Sequence, residues 1–221
     1  MLSRRLTISY QITKTLIRVV MLFLARATVR GIERVPRSGA AVIVCNHLAA
    51  VDPAILVAVL PRPVTLMSKV ENAHSPLKFF LWLVGAFTVR RGKVDRQALR
   101  TAERVLAEGR LLGMFPEGTR SAQLGAGHGG AVILALKSGA PIVPVALTDT
   151  SRVFIRQFPW LGFPRLTVTI GEPFFLRARD AAPQRVTRDQ MTTEIMTHIA
   201  ALLPPELRGT YSAIGVRTHD F

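Results

Sequence analysis

Short apolar runs rich in β-branched residues alternate along this chain with segments of helical periodicity. The runs that we predict as strands are Ala40–Cys45, Val64–Met67, Phe87–Val89, Leu111–Phe115, Ile142–Leu147 and Arg165–Ile170. The helices that we predict are Pro53–Leu60, Ser75–Phe87, Asp95–Glu108, Gly130–Lys137 and Thr187–Leu203. Because parallel strands require crossover connections, which are usually helical, this alternation predicts an α/β fold: a mixed, largely parallel sheet flanked by helices.

Three of the predicted helices begin at residues that suit a helix N-terminus. Asp52 precedes Pro53 and is predicted as an N-cap, with the proline at the first helical position. Asp95 has the same predicted role for the next long helix. Thr187 and Gln190 form a capping-box pattern. These signals indicate where loops give way to helices.

The first 37 residues combine a basic excess with an apolar stripe. They contain eight Lys or Arg residues and one acid, Glu33. The apolar residues recur at helical spacing and are Ile8, Ile12, Leu16, Val19, Val20 and Phe23. Lys14 and Arg18 lie on another face. The pattern predicts an amphipathic helix in the headgroup region of a membrane; the alternative is a helix docked on the protein's own core.

We divide the chain into an N-terminal membrane-association segment, 1–30, and a globular domain, 31–221. The apolar block between Arg18 and Arg26 is too short to span a bilayer. An arginine pair near the start is reminiscent of an export signal, but the apolar block begins far from it and is flanked by arginines, which argues against export. We therefore expect a monotopic protein at the cytoplasmic face of a cell membrane.

The composition favours a lipid surface over nucleic acid as the polyanionic partner. The 221 residues carry a net charge of +15, 49% are hydrophobic, and the mean hydropathy is +0.30. Such a charge attracts either kind of polyanion. Aromatic residues amount to only 7%, and the sequence has no basic recognition helix, so we expect no nucleic-acid partner. The single cysteine, Cys45, excludes an intramolecular disulfide and a cysteine-cluster zinc site.

The stretch VCNHLAAVDP, Val44 to Pro53, places a histidine and an aspartate at the end of a predicted strand. Active sites of open α/β sheets lie at such strand ends. If Asp52 held one ring nitrogen of His47, it would fix the tautomer and leave the other nitrogen as a base. No G-x-S-x-G elbow is present, so the pair suits direct activation of a substrate hydroxyl. The alternative is a polar turn in which Asp52 only caps the helix. Cys45 is expected to be a core residue rather than a nucleophile.

Three further segments contain residues suited to an anionic substrate. In FPEGTRS, Phe115 to Ser121, a glycine allows a tight turn and an arginine can clamp a phosphate, with a glutamate beside it. VRRG, Val89 to Gly92, could add charge from two arginines. The alternative for each segment is a solvated surface turn. APIVPVAL, Ala140 to Leu147, contains Pro144, which cannot donate to a sheet ladder and implies an edge strand or a bulge.

Taken together and in this order, these segments resemble the lysophosphatidic acid acyltransferase family of the glycerophosphate acyltransferase group. The residues that match its motifs are Asn46, His47 and Asp52; then Gly85, Phe87, Arg91 and Gly92; then Phe115–Ser121 at every position; and finally Pro141–Val145. The first and third motifs are specific at this separation, whereas the second and fourth are weak alone. The sequence departs from the family pattern at Arg90, Gly127–Gly130 and Asp149.

The resemblance implies that His47 is the catalytic base and that Asp52 orients it. The residues to which it assigns substrate binding are Arg91, Glu117, Gly118, Thr119, Arg120 and Pro144, with Asn46 and Arg90 as further candidates. The implied reaction moves a fatty acyl group from acyl-CoA or acyl-carrier protein to the free hydroxyl of lysophosphatidic acid, giving phosphatidic acid. No metal or cofactor is implied, because the thioester is already activated. Backbone amides near Asn46 or in the fourth motif are candidates to bind the oxyanion.

The implied partners are an anionic membrane surface, a lyso-phospholipid acceptor and the thioester donor. The apolar segment Ser75–Phe87 is expected to contact membrane or acyl chain, and its alternative is a buried core helix. Two other functions remain open at this point. One is the same chemistry on another acceptor, such as a different lyso-phospholipid, glycerol-3-phosphate or a lyso-aminolipid. The other is a non-enzymatic, basic membrane-binding protein.

Overall fold

The computed structural model describes residues 4–24, 26–70, 77–90, 95–151, 165–176 and 186–212. The strands in this part of the chain are β1 (Arg26–Arg30), β2 (Ala41–Cys45), β3 (Val64–Lys69), β4 (Phe87–Val89), β5 (Leu111–Met114), β6 (Ile142–Thr148) and β7 (Arg165–Ile170). The α-helices are α1 (Arg4–Leu24), α2 (Asp52–Val59), α3 (Leu77–Leu83), α4 (Arg96–Ala107), α5 (Gly130–Ser138) and α6 (Arg188–Ala201).

The seven strands form one sheet in the order β1-β7-β6-β2-β5-β3-β4. All neighbours pair in parallel except β6 and β7, which are antiparallel. The predicted mixed, largely parallel sheet is therefore confirmed. Since parallel strands turn their carboxyl ends to the same edge, the residues that follow β2, β3, β4 and β5 converge there.

The sheet separates two apolar cores, because successive residues of a strand point to opposite faces. In β2, Ile43 and Cys45 pack in the core that also contains α2 and part of α1. Val42 and Val44 pack in the other core, with residues of α4, α5 and α6. All five residues of β2 are buried, as expected for a central strand covered on both faces.

Most predicted helix starts are confirmed by the structure. The Asp95 side chain accepts hydrogen bonds from the backbone N–H groups of Gln97 and Ala98 at the start of α4. Thr187 and Gln190 form the expected capping box of α6. Helix α3 ends at Leu83, four residues earlier than predicted, and Ser75 lies outside the described residues.

Strand β1 was not predicted from the sequence. Its residues read RATVR and all five are exposed, so the segment lacks the apolar run by which a buried strand is recognised. Among the described strands it lies at the edge of the sheet, where it pairs with β7. The sheet thus begins within the segment 1–30.

The prediction of an edge strand at Pro144 is wrong, because β6 lies inside the sheet between β7 and β2. The alternative, a bulge, fits the register. Val145 pairs with Ile170, and Ile142 forms a bridge with Phe174. The three-residue step from Ile142 to Val145 on β6 therefore faces a four-residue step from Ile170 to Phe174, which is the extra residue of a bulge. The Pro144 carbonyl accepts the Gly171 N–H at 2.8 Å on that side. The missing proline N–H therefore falls where the ladder is already interrupted.

Helix α1 docks on the domain through its polar face. The Lys14 ammonium donates to the Leu60 carbonyl at 2.5 Å, and the Arg18 guanidinium donates to the Ala58 carbonyl at 2.7 Å. The Tyr10 hydroxyl accepts the N–H of Val64 at 3.0 Å. Cations suit these carbonyls, because α2 ends there and the negative end of its dipole needs compensation. Helix α1 is thus docked on the core of the protein, as the alternative interpretation of the sequence predicted, and it also carries the predicted apolar stripe.

The opposite face of α1 is apolar and exposed. The residues of this apolar stripe are Ile8, Ile12, Leu16 and Val19, with exposed fractions of 43 to 64%. The side chains of Val20 and Phe23 lie outside the described part of the structure. Among the described helices, none has the length and apolar character needed to cross a membrane.

Candidate active site

The first and third motifs meet at the carboxyl edge of the sheet. Strands β2 and β5 are neighbours, so His47, just after β2, lies beside the turn that follows β5. The His47 N–H donates to Glu117 Oε1 at 3.0 Å, and the Ser121 N–H donates to the His47 carbonyl at 2.9 Å. Two segments separated by about 70 residues in the chain are thereby joined on both sides of the histidine.

His47 and Asp52 form the pair that the sequence predicts. His47 Nδ1 lies 2.8 Å from Asp52 Oδ2. The Asp52 side chain is fully buried, whereas 14% of the His47 side chain is exposed. Phe115 stacks on the imidazole, with ring centroids 4.3 Å apart. The ring is therefore held by one contact on its edge and one on its face, and Nε2 remains available for a proton.

Asp52 does not cap α2, so that part of the sequence interpretation is wrong. The N-cap position belongs to Val51, and no side chain makes a capping hydrogen bond there. Instead, Asp52 Oδ2 accepts the N–H groups of Leu48 and Ala49 at 2.7 and 2.8 Å, in addition to His47. The carboxylate is directed backward to the loop because three donors converge on one of its oxygens.

Glu117 lies behind His47 rather than at the surface. Its Oε2 accepts the Gly125 N–H at 2.9 Å, while Oε1 accepts the His47 N–H. Only 6% of the residue is exposed. Burial raises the pKa of the Glu117 carboxyl above its ordinary value, although the two N–H donors oppose this shift. Both oxygens are thus engaged with backbone, which suits a residue that positions the histidine.

The side chain of Asn46 also hydrogen-bonds to the backbone. Its amide accepts the N–H of Leu147 at 2.7 Å and donates to the carbonyl of Leu147 at 2.9 Å, and the residue is buried. The N–H groups of residues 47, 48 and 49 are all bonded to Glu117 or Asp52. The expectation that amides next to Asn46 bind an oxyanion therefore fails, because these donors are already occupied.

An open cleft runs past His47 along the carboxyl edge. Its apolar lining includes Leu66, Met67, Leu81, Val89, Met114 and Phe115. Its polar lining includes Ser68, Lys69, Gly118 and His128. The cleft can therefore take a long apolar chain beside a polar or anionic group, with the imidazole at the wall.

Comparison with protein families gives a match over this region. The family model described as acyltransferase matches residues 26–148, which is more than half of the chain. The chain belongs to this acyltransferase family. The matched residues include β1 to β6, both motifs that meet at His47, and most of the cleft lining.

Curated relatives are about a third identical to this chain over the aligned residues. The 1-acyl-sn-glycerol-3-phosphate acyltransferase of Borreliella burgdorferi is 32% identical over 134 residues, which cover 58% of this chain and 54% of that protein. The protein of the same name from Bacillus subtilis is 31% identical over 144 residues, covering 64% and 72%. The chain thus spans little more than half the length of the first relative and most of the second.

The fold is shared with a solved structure. The crystal structure of the 1-acyl-sn-glycerophosphate acyltransferase PlsC of Thermotoga maritima superposes with a TM-score of 0.70 and 20% identity. The match covers 96% of this chain and 86% of that chain. At this identity the likeness establishes the arrangement of strands and helices.

The structure brings some of the predicted site residues to the cleft and not others. His47 and Gly118 line it, with Asp52, Glu117 and Asn46 directly behind. Thr119 and Arg120 are exposed in the turn after β5. The residues placed elsewhere are Pro144, buried in the sheet, and Arg90, exposed with its N–H on Asp95; Arg91 lies outside the described residues.

Lys69 and His128 line the cleft but were not singled out from the sequence. Lys69 ends β3, so the rule that strand ends converge at one edge could have indicated it. His128 precedes α5 in a loop, and no local sequence pattern indicates that this loop lies beside the cleft. Cys45 is fully buried, and its burial raises the pKa of the thiol well above the ordinary value, which argues against a thiolate nucleophile.

Proposed function

We propose that this protein is an O-acyltransferase that moves a fatty acyl group from a thioester to the free hydroxyl of lysophosphatidic acid, giving phosphatidic acid. The observation that carries the proposal is the 2.8 Å contact between His47 Nδ1 and the buried Asp52, at the wall of a largely apolar cleft. The names of the two bacterial relatives support the choice of acceptor. A non-enzymatic membrane protein would have no need of this pair.

His47 acts as the general base. Nε2 takes the proton of the acceptor hydroxyl while that oxygen bonds to the thioester carbonyl carbon. The tetrahedral adduct then collapses, the carbon–sulfur bond breaks, and Nε2 returns the proton to the leaving thiolate. Asp52 holds the tautomer through Nδ1 and stabilises the imidazolium that forms between these steps. The donor is acyl-CoA or acyl-carrier protein.

The acceptor phosphate lies near the cations at the carboxyl edge. Lys69 lines the cleft, and Arg120 follows Gly118 in the adjoining turn. Arg91 belongs to the same proposal because the second motif assigns it there. Arg120 is suited to a phosphate because its guanidinium can donate two parallel hydrogen bonds. Glu117 is a positioning residue in this scheme, since both of its oxygens are engaged with backbone.

The protein docks on a membrane without crossing it. The apolar stripe of α1 is exposed, while Lys14 and Tyr10 on its other face are buried. Helix α3 adds Phe79 and Trp82, which are 67 and 61% exposed, and its Leu81 lines the cleft. Such surfaces are unfavourable in water and favourable in the headgroup region. The net charge of +15 adds attraction to anionic lipid, so we place the protein at the cytoplasmic face.

The decisive test is transfer from labelled long-chain acyl-CoA in vesicles that contain lysophosphatidic acid. We expect labelled phosphatidic acid from the wild type, and a loss of kcat of about 10³-fold or more for His47→Ala. Arg120→Ala should raise the acceptor KM by about tenfold, because it removes a charge-assisted hydrogen bond. Arg37→Ala is the matched control, since Arg37 is exposed just before β2 at the opposite edge of the sheet.

The same assay with other acceptors and donors separates the alternatives. Turnover only with another lyso-phospholipid, glycerol-3-phosphate or a lyso-aminolipid would keep the mechanism and change the substrate. Turnover only with acyl-carrier protein would fix the donor. A wild type that is silent with every donor and acceptor, or a His47→Ala variant as active as wild type, would contradict the proposal.

A further inference from the structure

The loop of residues 121–129, which we call the active-site loop, borders the site on the side of the third motif. Its Ser121 N–H donates to the His47 carbonyl at 2.9 Å, and its Gly125 N–H donates to Glu117 at 2.9 Å. The His128 N–H donates to the Pro116 carbonyl at 2.9 Å, and His128 lines the cleft. The position of this loop therefore fixes both the backbone of His47 and part of the cleft wall.

The other side of this loop is fastened to the residues that follow α6. We call residues 204–212, which contain two short 3-10 turns, the C-terminal brace. The Leu124 N–H donates to the Leu207 carbonyl at 2.8 Å, and Gln123 Nε2 donates to the Glu206 carbonyl at 3.0 Å. The active-site loop is thus held between the catalytic residues and a segment more than 75 residues farther along the chain.

The buried side chains of the two segments continue this contact. Leu124 and Tyr211 are 3 and 8% exposed and pack in the same apolar core. The backbone of Gly127 lies near the Tyr211 hydroxyl, where it opposes the rise in the pKa of Tyr211 that burial causes. The ring anchors the brace in the core, and the hydroxyl reaches the loop two residues after the amide that binds Glu117.

At Gly209 the backbone of the brace packs directly against the active-site loop. The φ of Gly209 is +54°, a conformation that favours glycine. A Cβ placed on it would lie 2.2 Å from the Leu124 carbonyl oxygen, where no real Cβ contact is found. Any side chain at this position must therefore displace either the brace or the active-site loop.

From these contacts we infer that the C-terminal brace positions the active-site loop for acyl transfer, with Gly209 and Tyr211 as positioning residues. The inference rests on the proposed function. Among the described residues, those of the brace are not part of the cleft lining, and the brace acts through the loop amides that hold Glu117 and the His47 carbonyl. A small displacement of a reacting group lowers the rate steeply, so a loosened loop should reduce kcat while the protein stays folded.

The chain offers a matched pair of glycines for the test. Gly139 has φ +66° at the end of α5, and a Cβ there would meet nothing within 4 Å. Gly139→Ala and Gly209→Ala therefore introduce comparable backbone strain, but only Gly209→Ala pushes on Leu124. Tyr211→Phe is a second variant, since it keeps the ring in the core and removes the hydroxyl that reaches Gly127.

We would measure kcat well below the melting temperatures of all variants, together with amide hydrogen exchange of residues 121–129. If the brace positions the loop, Gly209→Ala should have a kcat at least tenfold lower than that of Gly139→Ala, and its loop amides should exchange faster. Tyr211→Phe should lower kcat about threefold or more with little change in melting temperature. Equal kcat and equal loop exchange in the two glycine variants would overturn the inference. If the wild type transfers no acyl group, the proposed function fails, and the exchange data alone decide whether the brace holds the loop.

Discussion

Asp52 receives three hydrogen bonds on a single carboxylate oxygen, from His47 and from two loop amides. The loop between His47 and Asp52 is therefore folded around the carboxylate, and the imidazole cannot turn without disturbing it. The other oxygen, Oδ1, is buried and has no hydrogen-bond partner among the described residues. Oδ2 therefore both holds the imidazole of His47 and shapes the loop.

This arrangement leads to a specific prediction for Asp52→Asn. The amide oxygen should occupy the place of Oδ2, because the N–H groups of Leu48 and Ala49 require an acceptor there. That oxygen would also keep accepting the His47 Nδ1–H, so the tautomer is retained and only the negative charge is lost. We expect kcat to fall by about 10²- to 10³-fold, less than the roughly 10⁴-fold loss that accompanies a wrong tautomer.

Steady-state kinetics of the purified variant in lysophosphatidic acid vesicles would check this expectation. Asp189→Asn is the control, since Asp189 is an exposed carboxylate in the first turn of α6. The new amide group would lie in the buried place of Oδ1, so the melting temperature should fall by an amount that corresponds to about 1–3 kcal/mol. A kcat loss of about 10⁴-fold would mean that the tautomer is not preserved.

For single residues, the sequence predicted the contact between His47 and Asp52 but not the other contacts of the site. The spacing of His47 and Asp52 indicated the pair, because a short loop after a strand can bring such residues together. The backbone role of Glu117 could not be predicted, since its partner amides belong to His47 and to Gly125 in a separate loop. His128 was missed for the same reason: its place in the cleft depends on contacts between distant segments.

Among the elements, α1 shows what periodicity can and cannot predict. The apolar spacing indicated a helix, and the structure has one over Arg4–Leu24. Periodicity alone did not indicate which face packs on the domain. The answer lies in carbonyl groups at the end of α2, which bind Lys14 and Arg18 and turn the apolar stripe outward. The edge strand β1 was missed because its exposed residues carry no apolar pattern.

The outward stripe of α1 makes a testable prediction for membrane binding. Leu16 is 61% exposed, and neighbouring Thr15 is also exposed. Leu16→Asp should reduce vesicle binding at least tenfold, because burying a leucine in lipid is worth about 1.5–3 kcal/mol. Thr15→Asp adds the same charge one position away and should have a smaller effect. Vesicle sedimentation measures both, with circular dichroism to verify folding, and equal losses would indicate that charge alone governs binding.

The stability of the whole molecule depends on how α1 is attached. Lys14 is 5% exposed, and its burial, with a smaller contribution from the Arg18 charge, lowers the pKa of Lys14 to about 8. The unfolded chain keeps this proton up to a pH of about 10.5. Between pH 8 and 10.5 the unfolded state therefore binds more protons than the folded state, so the free energy of unfolding should rise with pH in this range.

The Lys14→Met variant tests this coupling of charge and docking. Methionine fills a similar space without a titrating group. The free energy of unfolding of the variant should therefore lack the increase with pH that Lys14 causes in the wild type, which is about 3 kcal/mol. Urea unfolding at several pH values from 7.5 to 10.5 would give the difference between wild type and variant directly. Lys137→Met is the control, because Lys137 lies exposed on α5. If the free energies of unfolding of wild type and Lys14→Met changed in parallel with pH, Lys14 would retain its charge against the Leu60 carbonyl throughout this range. The attachment of α1 would then be independent of pH.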